Sequence, residues 1–216
     1  RVIAEEHPEC WGGLIDVDPA EEQASSAARI AAEIVATEPE DGVALAGRGA
    51  RYALRLQPLV SGGSVAPFAC RTDASYLVTG GLGGVGLEIA RWLAERGARH
   101  LLLAGRRGLP PRESWAQQID EGIRRSIDIV EAIEALGASV HPLALDVTDE
   151  GAVRQVLQGG AASLSSGVQW PAVRGIVHAA AVADDCLIDR LAPASLRNVL
   201  RPKATGAAVL ARATDG

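Results

Sequence analysis

The stretch VTGGLGGVG, Val78 to Gly86, puts five glycines into nine positions between an apolar run and a charged segment. Upstream, SYLVT (75–79) is short, apolar and partly β-branched, and reads as a strand. Downstream, VGLEIARWLAERG (85–97) has helical spacing, which predicts Val85, Ile89, Trp92 and Leu93 on one face, with Gly97 as the stop. Gly81, Gly83 and Gly86 satisfy GxGxxG, a weak pattern alone in a chain with 24 glycines. Its position after a strand and at the opening of a helix is what gives it meaning. An early glycine permits the tight turn, a middle one lets backbone approach a pyrophosphate, and a late one lets helix pack on strand. The helix start adds free N–H groups and partial positive charge. The stretch therefore reads as a dinucleotide turn rather than a flexible loop.

Outward from this turn, strands and helices alternate. HLLLAG (100–105) is a second strand, and RSIDIVEAIEALG (125–137) a helix with Ile127, Val130 and Ile133 on one face. ASVHPLALDV (138–147) is a third strand, Asp149 to Leu157 a helix, and VRGIVHAA (173–180) a fourth strand. SLRNVLRPKATGAAVLARA (195–213) is helical with Pro202 interrupting it. Such alternation predicts a doubly wound parallel α/β sheet with right-handed crossovers, its uniformly apolar strands covered on both faces. GLPPRESWAQQIDEGIRR (108–125) is longer than the usual ~2–6 residue connection and is expected to be a surface excursion.

A Gly/Ser/Pro-rich seam near residues 60–73 separates this pattern from a smaller βαββ-like front piece. There CWGGLIDVD (10–18) suggests a strand, and AEEQASSAARIAAEIVA (20–36) a helix with Ala27, Ile30, Ala31, Ile34 and Val35 in helical spacing. VALAGRGARYALRL (43–56) suggests a hairpin in which Tyr52, Leu54 and Leu56 alternate with Arg51, Ala53 and Arg55. The expected division is 1–72 and 73–216, the front piece acting in packing.

Composition excludes several functions. The net charge of −6 and the scattered basic residues give no nucleic-acid stripe, and no apolar run is long enough to span a bilayer. Cys10, Cys70 and Cys186 are odd in number and far apart, so neither a disulfide framework nor a zinc site is indicated, and the four histidines lack metal-ligand spacing. With no signal peptide visible, a reducing cytoplasmic setting is expected. The chain contains no Met, as expected of a fragment, a processed product or an ordered part of something larger.

NAD-selective turns usually carry Asp or Glu at the end of the second strand, to hold the ribose 2′-hydroxyl. Here that place holds Gly105, Arg106 and Arg107. A carboxylate would repel a 2′-phosphate, whereas a guanidinium clamps it with charge-assisted bonds. NADP(H) is predicted over NAD(H), with Arg106 as the clamp and Arg107 in a solvated loop.

TGGLGGVG (79–86), LAGRRG (103–108), LDVTD (145–149), VRGIVHAAAVADD (173–185) and LRPKATGA (200–207) follow in the order found in short-chain dehydrogenase/reductases. Together they resemble the ketoreductase domains of modular type I polyketide synthases. The front segments EEHPECWGGLIDVDP (5–19) and EDGVALAGRGARYALRL (40–56) are similar to the end of the noncatalytic structural subdomain that precedes such ketoreductases. The GLPPRESW insertion is similar to that of synthases making mycobacterial-type lipids.

The resemblance implies a Rossmann-type sheet, incomplete at its C-terminal side, that reduces a β-ketoacyl thioester held by an acyl carrier protein. It implies that Thr79, Gly80, Gly81, Leu82, Gly83, Gly84, Val85 and Gly86 form the phosphate turn and that Arg106 meets the 2′-phosphate. Asp146 and Val147 would border the adenine. His178, Ala179, Ala180 and Ala181 would lie beside the nicotinamide ribose, with Ala181 where the family usually has Gly. His178, ending a buried strand, reads as packed or hydrogen-bonded rather than as an acid–base group. Lys203 matches the tetrad lysine of PK-x-x-G, anchoring ribose hydroxyls or a proton relay. Asp185 of VADD matches the diagnostic acid of B-type ketoreductases, which give the 3R alcohol.

The family's Ser and Tyr would follow Lys203 by tens of residues. Tyr52, Tyr76, Ser163, Ser165 and Ser166 match neither position. Reducing a ketone needs a proton donor for the developing oxyanion, so the chain alone is expected to bind cofactor without turnover and to be of poor stability. The competing readings are a noncatalytic Rossmann module that scaffolds neighbouring domains, and a free-standing short-chain reductase of another substrate.

Overall fold

The computed structural model describes residues 2–36, 40–58, 67–159 and 169–215. Part of the seam, 59–66, and Ser163, Ser165 and Ser166 lie outside the described residues. The chain divides into two compact units, 1–65 with 187–190, and 66–186 with 191–216.

The first unit opens with a short helix α1 (Val2–Glu6) and contains β1 (Leu14–Val17), α2 (Gln23–Ile34), β2 (Gly42–Leu45) and β3 (Arg51–Ala53). β1 pairs parallel with β2, and β2 antiparallel with β3, the βαββ order expected. Val43 and Leu45 are buried. Burial on α2 is slight, and Ile34 and Val35 are exposed. Polar contacts hold it instead: the Arg29 guanidinium donates to Glu21 Oε2 at 2.9 Å and to the carbonyls of Ala46 and Ala50 at 2.8 and 2.6 Å. β3 ends at Ala53, so Leu54 and Leu56 fall beyond the hairpin and are exposed.

The second unit is a parallel four-stranded sheet of β4 (Ser75–Thr79), β5 (His100–Gly105), β6 (Ser139–Ala144) and β7 (Val173–His178), in the order β6-β5-β4-β7. The helices are α3 (Gly84–Glu95), α4 (Glu121–Ala135), α5 (Glu150–Leu157), α6 (Pro193–Leu200) and α7 (Ala207–Thr214). Successive side chains of a strand point to opposite faces, and the two cores follow that rule. Tyr76, Val78, Leu101, Leu103 and Val140 pack with residues of α3 and α4, whereas Leu77, Leu102, Ala104 and Leu143 pack with residues of α5 and α7. The sheet is thus doubly wound. Ile127, Val130 and Ile133 bury one side of α4, as their spacing predicts, and Asp120 and Asp149 cap α4 and α5 by accepting from Ile123 and Ala152 N–H.

Two expectations are corrected. The buried face of α3 is Gly86, Leu87, Ala90, Leu93 and Ala94, while Val85 and Trp92 are 72% and 42% exposed. Of the four residues that spacing put on one face, Leu93 is buried and Ile89 packs partly buried against the core, so only Val85 and Trp92 are misplaced. Phe68 stacks on Trp92 with ring centroids 5.1 Å apart. The long connection after β5 is not merely a surface excursion. Its single 3-10 segment, Arg112–Gln117, buries Trp115 in the core beneath α4. The indole N–H donates to the Pro110 carbonyl at 2.8 Å, and Arg112, ion-paired with Glu134, covers the ring at 4.6 Å.

Trp115→Ala is expected to lower the stability of the second unit by about 3–5 kcal/mol. Gln117→Ala, an exposed change in the same segment, is expected to stay within about 0.5 kcal/mol. Urea unfolding of both variants checks this; equal effects would mean that the segment is not anchored.

Candidate nucleotide-binding site

The turn between β4 and α3 is built by backbone contacts that only glycine allows. Gly80 has φ +67°, and a Cβ there would lie 2.6 Å from the Ala179 carbonyl oxygen. A Cβ on Gly81 would meet the Val78 carbonyl oxygen at 2.5 Å, and one on Gly86 would come closer still to the Gly80 carbonyl oxygen. These three glycines seat α3 against the strand ends. Gly83 and Gly84 differ: a Cβ at Gly83 would make only an ordinary 3.4 Å contact, and one at Gly84 would meet nothing within 4 Å. Their bare backbone faces open space. The N–H groups of Gly84, Val85 and Gly86, in the first turn of α3, have no acceptor among the described residues.

That open space is a cavity of about 350 Å³ at the C-terminal ends of the strands. Thr79, Gly80 and Gly83 to Gly86 form one wall, and Ala104, Gly105 and Arg106 the end of β5. Leu145 to Thr148 follow β6, Ala179 to Val182 follow β7, and Asn198, Arg201 and Pro202 come from the α6 side. An open parallel sheet places its ligand crevice at this edge, where crossovers leave the central strands in opposite directions.

The far wall is clamped to the sheet through His178. Its Nε2 donates to the Pro202 carbonyl at 2.9 Å, which fixes the tautomer, so its Nδ1 accepts the hydroxyl proton of Thr79 at 2.6 Å. Pro202 does not break the helical run. Residues Arg201–Gly206 form a π turn joining α6 to α7. Gly206 lets that turn close in, since a Cβ there would come within 2.7 Å of Val147 Cγ1.

Asp146 is the electrostatic centre of the rim. Its carboxylate accepts from the Thr148 N–H at 2.9 Å and hydroxyl at 2.7 Å, and from Arg201 at 3.0 Å. The Thr148 hydrogen bonds hold its pKa below the ordinary carboxylate value, helped by the charges of Arg201 and Arg106 and opposed by burial. Arg106 is exposed at the wall and makes no hydrogen bond or ion pair among the described residues.

Of the residues expected from sequence, Thr79, Gly80, Gly83 to Gly86, Arg106, Asp146, Val147 and Ala179 to Ala181 line this one cavity. Gly81, Leu82 and His178 stand behind it. Lys203 is exposed on the π turn and Asp185 on the coil after β7, neither in the cavity wall. Arg107 is exposed. Tyr76 is buried in the sheet, its hydroxyl accepting from the Arg71 N–H at 2.6 Å, and Tyr52 is exposed on β3. Sequence reasoning missed Thr148, Asn198 and Arg201. Arg201 carried a signal, as a cation directly before the Pro202-Lys203 pair. Among the described residues no His, Cys, Asp and Glu cluster could hold a metal, and no helix is long and apolar enough to cross a membrane.

A doubly wound parallel sheet with a glycine turn opening on its C-terminal edge defines a Rossmann-type fold. Residues 74–216 match the KR domain family, and the chain belongs to it. It is 43% identical over 214 residues to the 5-methyl-1-naphthoate synthase of Streptomyces sahachiroi, covering 98% of this chain and 11% of that one. It is 39% identical over 210 residues to a phenolphthiocerol/phthiocerol polyketide synthase chain of Mycobacterium tuberculosis, covering 97% and 11%. Among solved structures, an A-type ketoreductase from a modular polyketide synthase superposes with TM-score 0.73 at 33% identity, covering 99% of this chain and 41% of that one. The chain thus spans about a tenth of these curated relatives and about two fifths of that solved chain.

Gly86→Ala is expected to destabilise the second unit by about 1–3 kcal/mol, because its Cβ must displace backbone. Gly84→Ala fills open space in a helix and is expected to leave thermal stability unchanged or raise it by up to about 1 kcal/mol. Thermal denaturation of the two variants distinguishes these glycines; equal losses would contradict the division.

Proposed function

We propose that the cavity binds NADP(H) and that the chain is the cofactor-binding portion of a polyketide synthase ketoreductase. The observation that carries this is the pairing of a bare glycine wall with an uncommitted guanidinium. Gly83 and Gly84 leave room for backbone to approach a pyrophosphate, and Gly84 to Gly86, whose N–H groups lack acceptors among the described residues, line the same space. Arg106 directly follows β5, where an NAD-selective site would hold an acid, with its charge free for a 2′-phosphate. When bound, the nicotinamide would supply hydride to the β-carbon of a ketoacyl thioester. Residues 1–72 then correspond to the end of the structural subdomain, and 73–216 to the NADP-binding part of the catalytic one.

In this reading Asp146 and Val147 border the adenine, and Ala179 to Ala181 border the nicotinamide ribose. His178 positions rather than reacts, since both ring nitrogens are engaged by Thr79 and Pro202. Lys203, exposed on the π turn outside the cavity wall, would join a ribose anchor or proton relay only together with residues beyond this chain. The acyl chain arrives on an acyl carrier protein, beside neighbouring synthase domains in the cytoplasm. With Tyr76 in the core and Tyr52 on β3, this chain offers no phenol at the cavity to protonate a reduced carbonyl. We read it as binding-competent and inactive alone.

The chain is expected to bind NADPH more tightly than NADH without reducing a β-ketoacyl thioester. Arg106→Ala is expected to cost about 10–100-fold in NADPH affinity and much less for NADH. Titration of the fluorescence of the reduced nicotinamide measures both; an undiminished preference for NADPH in the variant would sink the assignment of Arg106.

Asp185 supports B-type reduction, in which hydride reaches the face that gives the 3R alcohol. Chiral analysis of the product made by the complete ketoreductase domain tests this, and an S-configured alcohol would defeat it.

A further inference from the structure

The cavity rim carries three charges. Arg106 follows β5, Asp146 follows β6, and Arg201 opens the π turn, and all three line the same space. An acid at this rim is a liability for a ligand with an extra phosphate, because like charges at short range repel. Asp146 is not free to act so. One Oδ accepts both bonds from Thr148, and Arg201 donates to the other Oδ at 3.0 Å. The same guanidinium donates twice to Thr148 Oγ1, at 2.9 and 3.2 Å, which fixes it in place through two partners. The pair is half exposed, so its contribution to stability is small. Its effect on the local charge is not: Asp146 and Arg201 sum to zero, and Arg106 remains as the net positive charge of the rim.

We propose that Arg201 is a specificity-determining residue, whose guanidinium cancels Asp146 so that Arg106 faces the 2′-phosphate of NADP(H) unopposed. This rests on the NADP(H) reading of the cavity. It differs from a structural clip in its sign. A clip would, on removal, weaken every dinucleotide alike, whereas charge cancellation acts on the 2′-phosphate alone and is reversed by removing the acid.

Dissociation constants of NADPH and NADH are measured for the intact chain and for Arg201→Ala, Asp146→Asn and the double variant. Arg201→Ala is expected to reduce the preference for NADPH about tenfold. Asp146→Asn is expected to keep or raise the preference, and the double variant to recover most of what Arg201→Ala lost. Equal weakening of both dinucleotides by Arg201→Ala, or no recovery in the double variant, overturns the inference while leaving the NADP(H) reading intact. An intact chain with no preference for NADPH overturns that reading and this inference together. Retained NADH binding in Arg201→Ala shows that this variant remains folded.

Discussion

Gly86 sits closer to the carbonyl of Gly80 than any side chain would permit, and the site follows from that one approach. It drops the first turn of α3 onto the end of β4, and the turn between them is forced into the positive φ of Gly80. The N–H groups of Gly84 and Val85, two residues that line the cavity, are left without an acceptor among the described residues. A helix start normally satisfies such groups with a capping side chain, and here Gly83 occupies the capping position with none to give. The helix start is therefore left without a side-chain cap.

Opposite that wall, one imidazole does comparable work. His178 ties Thr79, at the end of the central strand, to Pro202 in the π turn, and so joins β4, β7 and the helical run into one frame. Gly206 supports it by admitting Val147 and the imidazole at close range. The Pro202-Lys203-x-x-Gly206 segment thus has a structural rationale of its own: the proline offers a carbonyl to the histidine, and the glycine lets the turn approach.

The strands and the doubly wound sheet were legible in the sequence because their signals are local and repeated. Apolar runs such as LLLAG are buried on both faces, and Ile127, Val130 and Ile133 recur at helical spacing. The face of α3 was only partly legible: Leu93 is buried as its spacing suggests, but Val85 and Trp92 compete with Leu87 and Ala90, and only the packing of β4 and β5 decides between them. Trp115 was hidden for a related reason. A lone aromatic in a proline-rich loop has no period, and its burial depends on a gap under α4 that no local pattern encodes. At the cavity, the glycines and Arg106 stood out by their position in the strand–helix alternation. Arg201 did not, because its partners Asp146 and Thr148 lie more than fifty positions away in the chain.

The π turn also has a consequence for the length of this helix. An i→i+5 turn acts like one residue inserted into an α-helix, which rotates everything after it by about 100°. Ahead of it, α6 directs Asn198 toward the cavity, and beyond it α7 directs Val209 and Leu210 into the core beneath the sheet. The run therefore behaves as two helices of different phase, joined without a loop. Losing a single residue between Arg201 and Gly206 would leave the helix continuous yet turn Val209 and Leu210 away from β4 and β5. The residue count of this run is therefore set by the two faces it must present, one to the cavity and one to the core.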